Sequence, residues 1–531
     1  MKKRPFLFLF LVAQLSFAQI QTGENVAVTN TDAGKVRGYV HNNIFTYKGI
    51  PYAEAKRFES PAKPKSWTNV RSSLGYGPVA PLLDPTTNVQ DEGEFVFNHS
   101  WGFTNEDCMR INVWTSSISD GKKRPVMFWI HGGGFTAGSS QELPSYDGES
   151  LAKSGDVVVV SINHRLNILG YLDLSAYGEK YKNSANLSIL DMRTALEWVK
   201  TNISNFGGDP NNVTIFGQSG GGAKVNTLMA MPSAKGLFHK AINQSGAFRA
   251  AMLEKTETQA IAAEVLKELN ITADKVDDIQ KIPFEQLTAA GKKALKTIAD
   301  KMKAEGKPAP GFGLSWGPSR DGDVLPFQML SNEALELSKN VPLLIGTTKN
   351  EFATFANMGL VGASADKINE TIKTRYGAKA DKYVEAVKKA YPNDTNPLDL
   401  LSVDATFRPG AVNQANIKSG LAGGAPVYMY LFTWQSPVMD GKYRAVHCME
   451  IPFVFNNIAR CEEMTGGNKD TYILAQKASK AWIIFARTGN PNHKGLPNWP
   501  AYNATNTATM HLDNQCVVKP QMDKELFELL K

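Results

Sequence analysis

The 531-residue sequence predicts an α/β fold, with a large, mostly parallel central sheet flanked by helices. Short apolar runs alternate with stretches of helical period, which is the βαβ rhythm. One run, Asp156-Val-Val-Val-Val-Ser-Ile162, is apolar on both faces, as a strand inside a parallel sheet must be. Gly217-Gln218-Ser219-Gly220-Gly221 falls between an apolar run and a helix-like stretch, so a serine tops a sharp strand-to-helix turn.

In chain order, residues 125–130 read as a strand running into His131-Gly132-Gly133-Gly134, and 156–162 as the next strand. Residues 187–202 carry Leu190, Ala195, Leu196, Trp198 and Val199 near helical spacing. A strand over 213–216 then meets the serine turn, and a helix follows over 223–230, stopped by Pro232. Further strands are predicted over 241–245, 341–345 and 426–434. Residues 250–315 and 355–425 break the rhythm, being rich in Ala, Lys, Glu and Leu. They are predicted as helical insertions above the C-terminal strand ends, walling a pocket or extending the outer helical layer. With no Pro/Ser/Gly-rich linker, low-complexity tract or repeat, residues 19–531 are expected to form a single domain.

Residues 1–18 read as a signal peptide. Lys2-Lys3-Arg4 is a positive n-region, 6–13 a short apolar core, and Ser16-Phe17-Ala18 a small-residue cleavage site. Gln14 and Ser16 interrupt the apolar run short of the ~20 residues a membrane span needs. Export to the periplasm or medium is therefore expected, with cleavage near Ala18 and no membrane span. The net charge of +7 is modest for this length and not gathered into runs. The lysines between Lys292 and Lys307 read as solvated helix faces, which argues against a nucleic-acid partner. No C-x-x-C, H-E-x-x-H, Walker A or G-x-G-x-x-G motif occurs, so neither a metal nor a nucleotide cofactor is expected. The four cysteines, Cys108, Cys448, Cys461 and Cys516, allow three pairings. Cys448–Cys461, the closest pair in sequence, is favoured, and Cys108 reads as a small buried hydrophobe.

A serine hydroxyl becomes a useful nucleophile only when a base removes its proton. Of the eight histidines, His447 lies past the end of strand 426–434, where the chemistry of such a sheet gathers. His131 sits in the glycine loop, His164 after a buried strand, and His239 and His493 in local turns or packed positions; His41, His99 and His511 carry no distinguishing neighbours. The histidine needs a carboxylate to fix its tautomer. Glu351, just past strand 341–345, gives the chain order Ser, Glu, His. Asp321 and Asp323 are rivals, within a stretch that looks like a turn. The consecutive glycines 132–134, with Gly220, can present backbone N–H groups to a developing oxyanion.

The sequence resembles the type B carboxylesterase/cholinesterase family. The resemblance rests on Lys48-Gly-Ile-Pro-Tyr-Ala53 with Arg57-Phe58, Glu106-Asp-Cys-Met-Arg-Ile-Asn-Val-Trp114, His131-Gly-Gly-Gly-Phe135, Phe206-Gly-Gly-Asp-Pro-Asn-Asn-Val-Thr-Ile-Phe-Gly-Gln-Ser219 and Lys235-Gly-Leu-Phe-His-Lys-Ala-Ile-Asn-Gln-Ser-Gly246, in family order. It implies an α/β-hydrolase fold and a serine esterase without cofactor, acting on a small-molecule ester. By resemblance, Ser219, Glu351 and His447 match the catalytic positions, and Gly133, Gly134 and Gly220 the oxyanion hole. Arg57 with Glu106, and Arg165 with Asp191, match the family's structural ion pairs. Gln218 and Gly220 stand where the family usually has Glu and Ala, and no cysteine precedes Cys108, as in the bacterial branch. A lipase or amidase of the same fold, or a non-catalytic binding protein, are the alternatives. Trp316, Phe135, Phe352, Phe355 and Met358 are candidates for the pocket wall or for core packing, and Arg320 for solvent or an acidic substrate. Oligomeric state is left open.

Overall fold

The structure, a computed structural model, describes residues 19–82, 91–248, 251–307 and 313–530. The expected signal peptide lies outside them. Among the described residues, no helix is long and apolar enough to cross a membrane.

Among the described residues, eleven strands form the main sheet. They are β1 (Tyr39–His41), β2 (Ile44–Pro51), β3 (Arg110–Thr115), β4 (Arg124–Ile130), β5 (Val158–Asn163), β6 (Gly208–Gln218), β7 (Lys240–Gln244), β8 (Leu343–Thr348), β9 (Val427–Phe432), β10 (Thr509–Leu512) and β11 (Val517–Lys519). Their spatial order is β11-β10-β9-β8-β7-β6-β4-β5-β3-β2-β1. Pairing is parallel from β5 through β4 to β10 and antiparallel at both edges. Strand β6 runs longer than its apolar stretch predicts, because residues 208–212 extend it beside β4. β10 and the edge strand β11 follow β9, each too short to stand out in the sequence.

Side-chain alternation divides the core into two layers. Along β4, Val126, Phe128 and Ile130 enter one apolar cluster with Leu196 and Ile215. Met127 and Trp129 enter the other with Phe216, Phe455 and Trp482. Helix α1 (Leu187–Asn202) covers the first face, and α2 (Gly220–Met229) is buried throughout. The insertions are helical, as expected: α3 (Lys255–Glu268) packs on α4 (Phe284–Ala304), and α5 (Ala365–Tyr376), α6 (Ala380–Ala390) and α7 (Arg408–Ser419) make up much of the second. Helix α8 (Lys469–Thr488) buries Leu474, Ala475, Ala478, Ala481, Trp482 and Phe485, a stripe at helical spacing. Asn468 caps its first turn, and Gly489 ends it at φ 80°, a left-handed conformation that suits glycine.

Arg165 and Asp191 form a buried bidentate pair at 2.6 and 2.9 Å, with the Arg165 N–H donating to the same carboxylate at 3.0 Å. Removing one partner of such a pair costs about 3–5 kcal/mol, since the other charge stays buried. Arg57 similarly clamps Glu106, its Nε 2.8 Å from a carboxylate oxygen. The favoured Cys448–Cys461 bridge is not formed, and all four thiols are free. Cys461 is packed among apolar side chains, while the Cys448 thiol donates to the Gln218 Oε1 at 3.3 Å. Closeness in sequence was a poor guide because the two side chains serve different surroundings. Cys108 is buried, as expected.

Strand order now places the loops. β6 lies between β4 and β7, so the residue after β6 is flanked by the loops that leave those two strands. β8 and β9 come next, so the turn after β8 and the long loop after β9 close the same edge.

Candidate active site

Ser219 follows β6 at φ 57° and ψ −124°, a strained conformation for any L-residue. Its N–H is held by the carbonyl of Gln244, at 2.8 Å. The neighbouring glycines are required by close backbone approach: a Cβ on Gly217 would lie 2.6 Å from the Ile130 carbonyl oxygen, and one on Gly221 2.0 Å from it. The sharp strand-to-helix turn expected from the sequence is formed, with Ser219 at its apex.

Glu351 is fully buried, at φ 31°, and its backbone bridges Val446. One carboxylate oxygen accepts from the Ser245 hydroxyl at 2.6 Å and from the Thr348 N–H at 2.7 Å. The other meets His447 Nδ1 in a close contact. The His447 ring is stacked on Phe352, centroids 4.4 Å apart, with Phe407 at 5.0 Å. The structure thus brings Glu351 and His447 together, and His447 and Ser219 line one cleft of about 770 Å³. Gly132, Gly133 and Gly134 line it too. Gly133 and Gly134 have φ of 80° and 62°, left-handed values that a side chain would oppose. The backbone of Gly220 abuts that of Gly134.

The rival carboxylates are elsewhere. Asp321 accepts from Asn186 Nδ2 at 2.8 Å and from the N–H groups of Asp323 and Leu325, capping its own turn. Of the other histidines, His131 and His164 stack on each other with centroids 4.8 Å apart. Burial, then the charge of Lys224, holds both well below the usual imidazole range. His239 accepts from the Val213 N–H, His493 contacts the Lys477 carbonyl, and His41 pairs with Glu149. His99 was unmarked in the sequence, yet it lines the cleft beside Trp101.

Phe352, Phe355 and Met358 line the cleft, with Phe97, Trp101 and Tyr443. Phe135 and Trp316 do not; both are buried, Phe135 against Tyr171 and Trp316 against the α4 backbone at Gly291. No described residue of the first insertion reaches the cleft, whereas Phe355 and Met358 begin the second. Arg320 pairs with Glu254 and is not part of this wall.

Gln218 is buried with its amide nitrogen 3.3 and 3.5 Å from the two His447 ring nitrogens. Two further buried carboxyls already feel the charge of Glu351. Burial, then repulsion from Glu351, pushes both Asp404 and Glu450 up to about 7. A further carboxylate would add to a crowded set of like charges. Sequence reasoning missed Ser245, Asp404 and Glu450, each a single polar residue whose role depends on a fold contact. The position of Ser245 just past β7 was the one available signal.

The absence of a Cβ at 220 has a measurable consequence. An alanine there would place its methyl 2.2–2.4 Å from backbone atoms of Gly134. Gly220→Ala is therefore expected to push the glycine loop away and, with the oxyanion-binding role that the sequence resemblance implies for this loop, to lower kcat by about 10²-fold. Steady-state kinetics check this; an unchanged kcat would mean the loop yields freely.

The carboxylesterase family profile matches residues 25–529. The chain is 35% identical to the para-nitrobenzyl esterase of Bacillus subtilis, over 94% of this chain and 97% of that protein. It is 31% identical to the phenmedipham hydrolase of Pseudarthrobacter oxydans, over 91% and 94%. A solved esterase from Clostridium hathewayi, described as able to hydrolyse aliphatic aromatic polyesters, superposes with a TM-score of 0.84. It is 36% identical over 97% of this chain and 99% of its own.

Proposed function

The chain belongs to the carboxylesterase family and is a carboxylic ester hydrolase; we propose that it works through an acyl-enzyme on Ser219, with His447 as base and Glu351 as the group that orients it. The observation that carries this reading is the buried relay from Ser245 and Thr348 through Glu351 to His447, at the edge of the cleft that holds Ser219. The Ser219 oxygen attacks the acyl carbon while His447 takes its proton. The resulting oxyanion faces the N–H groups of Gly133, Gly134 and Gly220. His447 then returns the proton to the departing alcohol, leaving an acyl-serine. Water, deprotonated by the same imidazole, cleaves that intermediate while Glu351 stays ionised.

The cleft wall favours esters carrying a flat apolar group. Phe97, Trp101, Phe352, Phe355 and Tyr443 offer ring faces that an aryl substituent can stack against. The relatives named for a para-nitrobenzyl ester and for aliphatic aromatic polyesters agree with that preference. Residues 19–531 serve as one catalytic domain, exported after cleavage near Ala18, as the basic n-region and short apolar core suggest.

A panel of soluble aryl esters, short-chain alkyl esters, triglyceride emulsions and anilides tests the assignment. The highest kcat/KM is expected on soluble aryl esters. A preference for long-chain emulsions would make the protein a lipase, and comparable rates on anilides an amidase.

A further inference from the structure

Helix α2, which begins immediately after Ser219, carries Lys224 at its fifth position with no exposed surface. A cation there opposes the helix dipole, and burying an ammonium is costly unless it is well partnered. A local choice that violates both rules calls for a compensating role. Its partners are specific. Nζ donates to the carbonyl oxygens of His131 at 3.1 Å and Gly132 at 3.4 Å. The Gly132 carbonyl and the Gly133 N–H belong to one peptide unit, which is trans. The two groups point in opposite directions across it. Lys224, with His131 Nδ1 at 3.0 Å from the same carbonyl oxygen, thus holds the far side of the peptide whose N–H is an oxyanion donor in the proposed mechanism.

We propose that Lys224 is a positioning residue of the oxyanion cradle, its ammonium fixing and polarising the Gly132–Gly133 peptide so that the Gly133 N–H binds developing negative charge more strongly. The inference rests on the acyl-enzyme reading above and deepens it. Hydrogen bonds in series reinforce one another, most of all when one donor is charged and the surroundings are dry.

The titratable groups facing Lys224 are the carboxyl of Glu142 and the rings of His131 and His164. Glu142 accepts from the Tyr146 hydroxyl at 3.3 Å. Burial pulls Lys224 down to about 7, against the charge of Glu142. Burial pushes Glu142 up to about 7, against the charge of Lys224. A lowered lysine is charged on the acid side and loses its charge as pH rises. The polarising effect is therefore present below about pH 7 and fades above it.

The test uses Lys224→Met, which keeps the bulk and removes the charge, and Lys224→Gln, which keeps an N–H donor alone. The readouts are kcat, KM, the pH dependence of kcat, and inhibition by an aryl trifluoromethyl ketone. That ketone adds the Ser219 oxygen to its carbonyl carbon and leaves an oxyanion. In Lys224→Met, kcat is expected to fall and the inhibition constant to rise together, by about 10-fold. This is less than the ~10²–10³ cost of deleting a direct donor. KM should stay within about two-fold, and the alkaline decline of kcat expected of the parent enzyme should vanish. Lys224→Gln should recover part of kcat without restoring that decline.

An unchanged kcat and inhibition constant would overturn the proposal. So would a change in KM and thermal stability with ketone affinity intact, since that is packing. Should neither variant fold, the titration of Lys224 in the parent, followed by NMR of its side chain, serves instead: ketone affinity must weaken over the pH range in which that lysine loses its proton, and an affinity unchanged across it would overturn the proposal. Ser219→Ala keeps the two readings apart: a dead Ser219→Ala beside a fully active Lys224→Met defeats only this inference, whereas an active Ser219→Ala defeats the mechanism beneath it.

Discussion

Ser219→Ala is expected to lower kcat by roughly 10⁴-fold or more, leaving the fold intact. The side chain is not part of the packed core, and the backbone N–H that anchors the turn to Gln244 is kept. The strain at φ 57° is carried by the same backbone in either residue, so no large change in thermal stability is expected. Some rate above the uncatalysed reaction should survive, because in the proposed mechanism the amides of the glycine loop still bind an oxyanion. Circular dichroism and melting temperature confirm the fold, and steady-state hydrolysis of a soluble aryl ester gives the rate. Full turnover by the variant would remove Ser219 from the mechanism.

Glu351→Gln should cost roughly 10⁴-fold in kcat for a different reason. Ser245 Oγ and the Thr348 N–H both donate to one oxygen of this side chain. A glutamine must turn its carbonyl oxygen toward those donors, which leaves its NH₂ group facing His447 Nδ1. An imidazole that accepts there carries its proton on Nε2 and cannot take one from a serine. Rates should fall at every pH, since the fault is the tautomer and not a shifted titration. A variant with near-parental kcat would show that this carboxylate does not govern the base.

The parts of this design that were legible in the sequence share a property: they are written in consecutive residues. The apolar runs of β4, β5 and β6 and the glycines around Ser219 report buried strands and a tight turn directly. Glu351 and His447 could be chosen because strand ends locate the chemistry of a parallel sheet. Contacts made across the fold leave no such trace. Ser245 supports Glu351 from over a hundred residues away, and Lys224 reaches a loop about ninety residues upstream. Aromatic residues were ambiguous for the same reason: Phe352 faces the cleft and Phe135 the core, yet both follow strand ends. The thiol of Cys448 was misassigned because spacing says nothing of what a side chain faces. It faces Gln218, not Cys461.

Labelling with an aryl phosphonate tests the central claim most directly. Such a reagent phosphonylates an activated serine and stops at that stage. The account predicts complete loss of activity at one adduct per chain, found by fragmentation on Ser219 within the tryptic peptide spanning 201–224. Inactivation with the adduct on any other residue, or with none at Ser219, would contradict it.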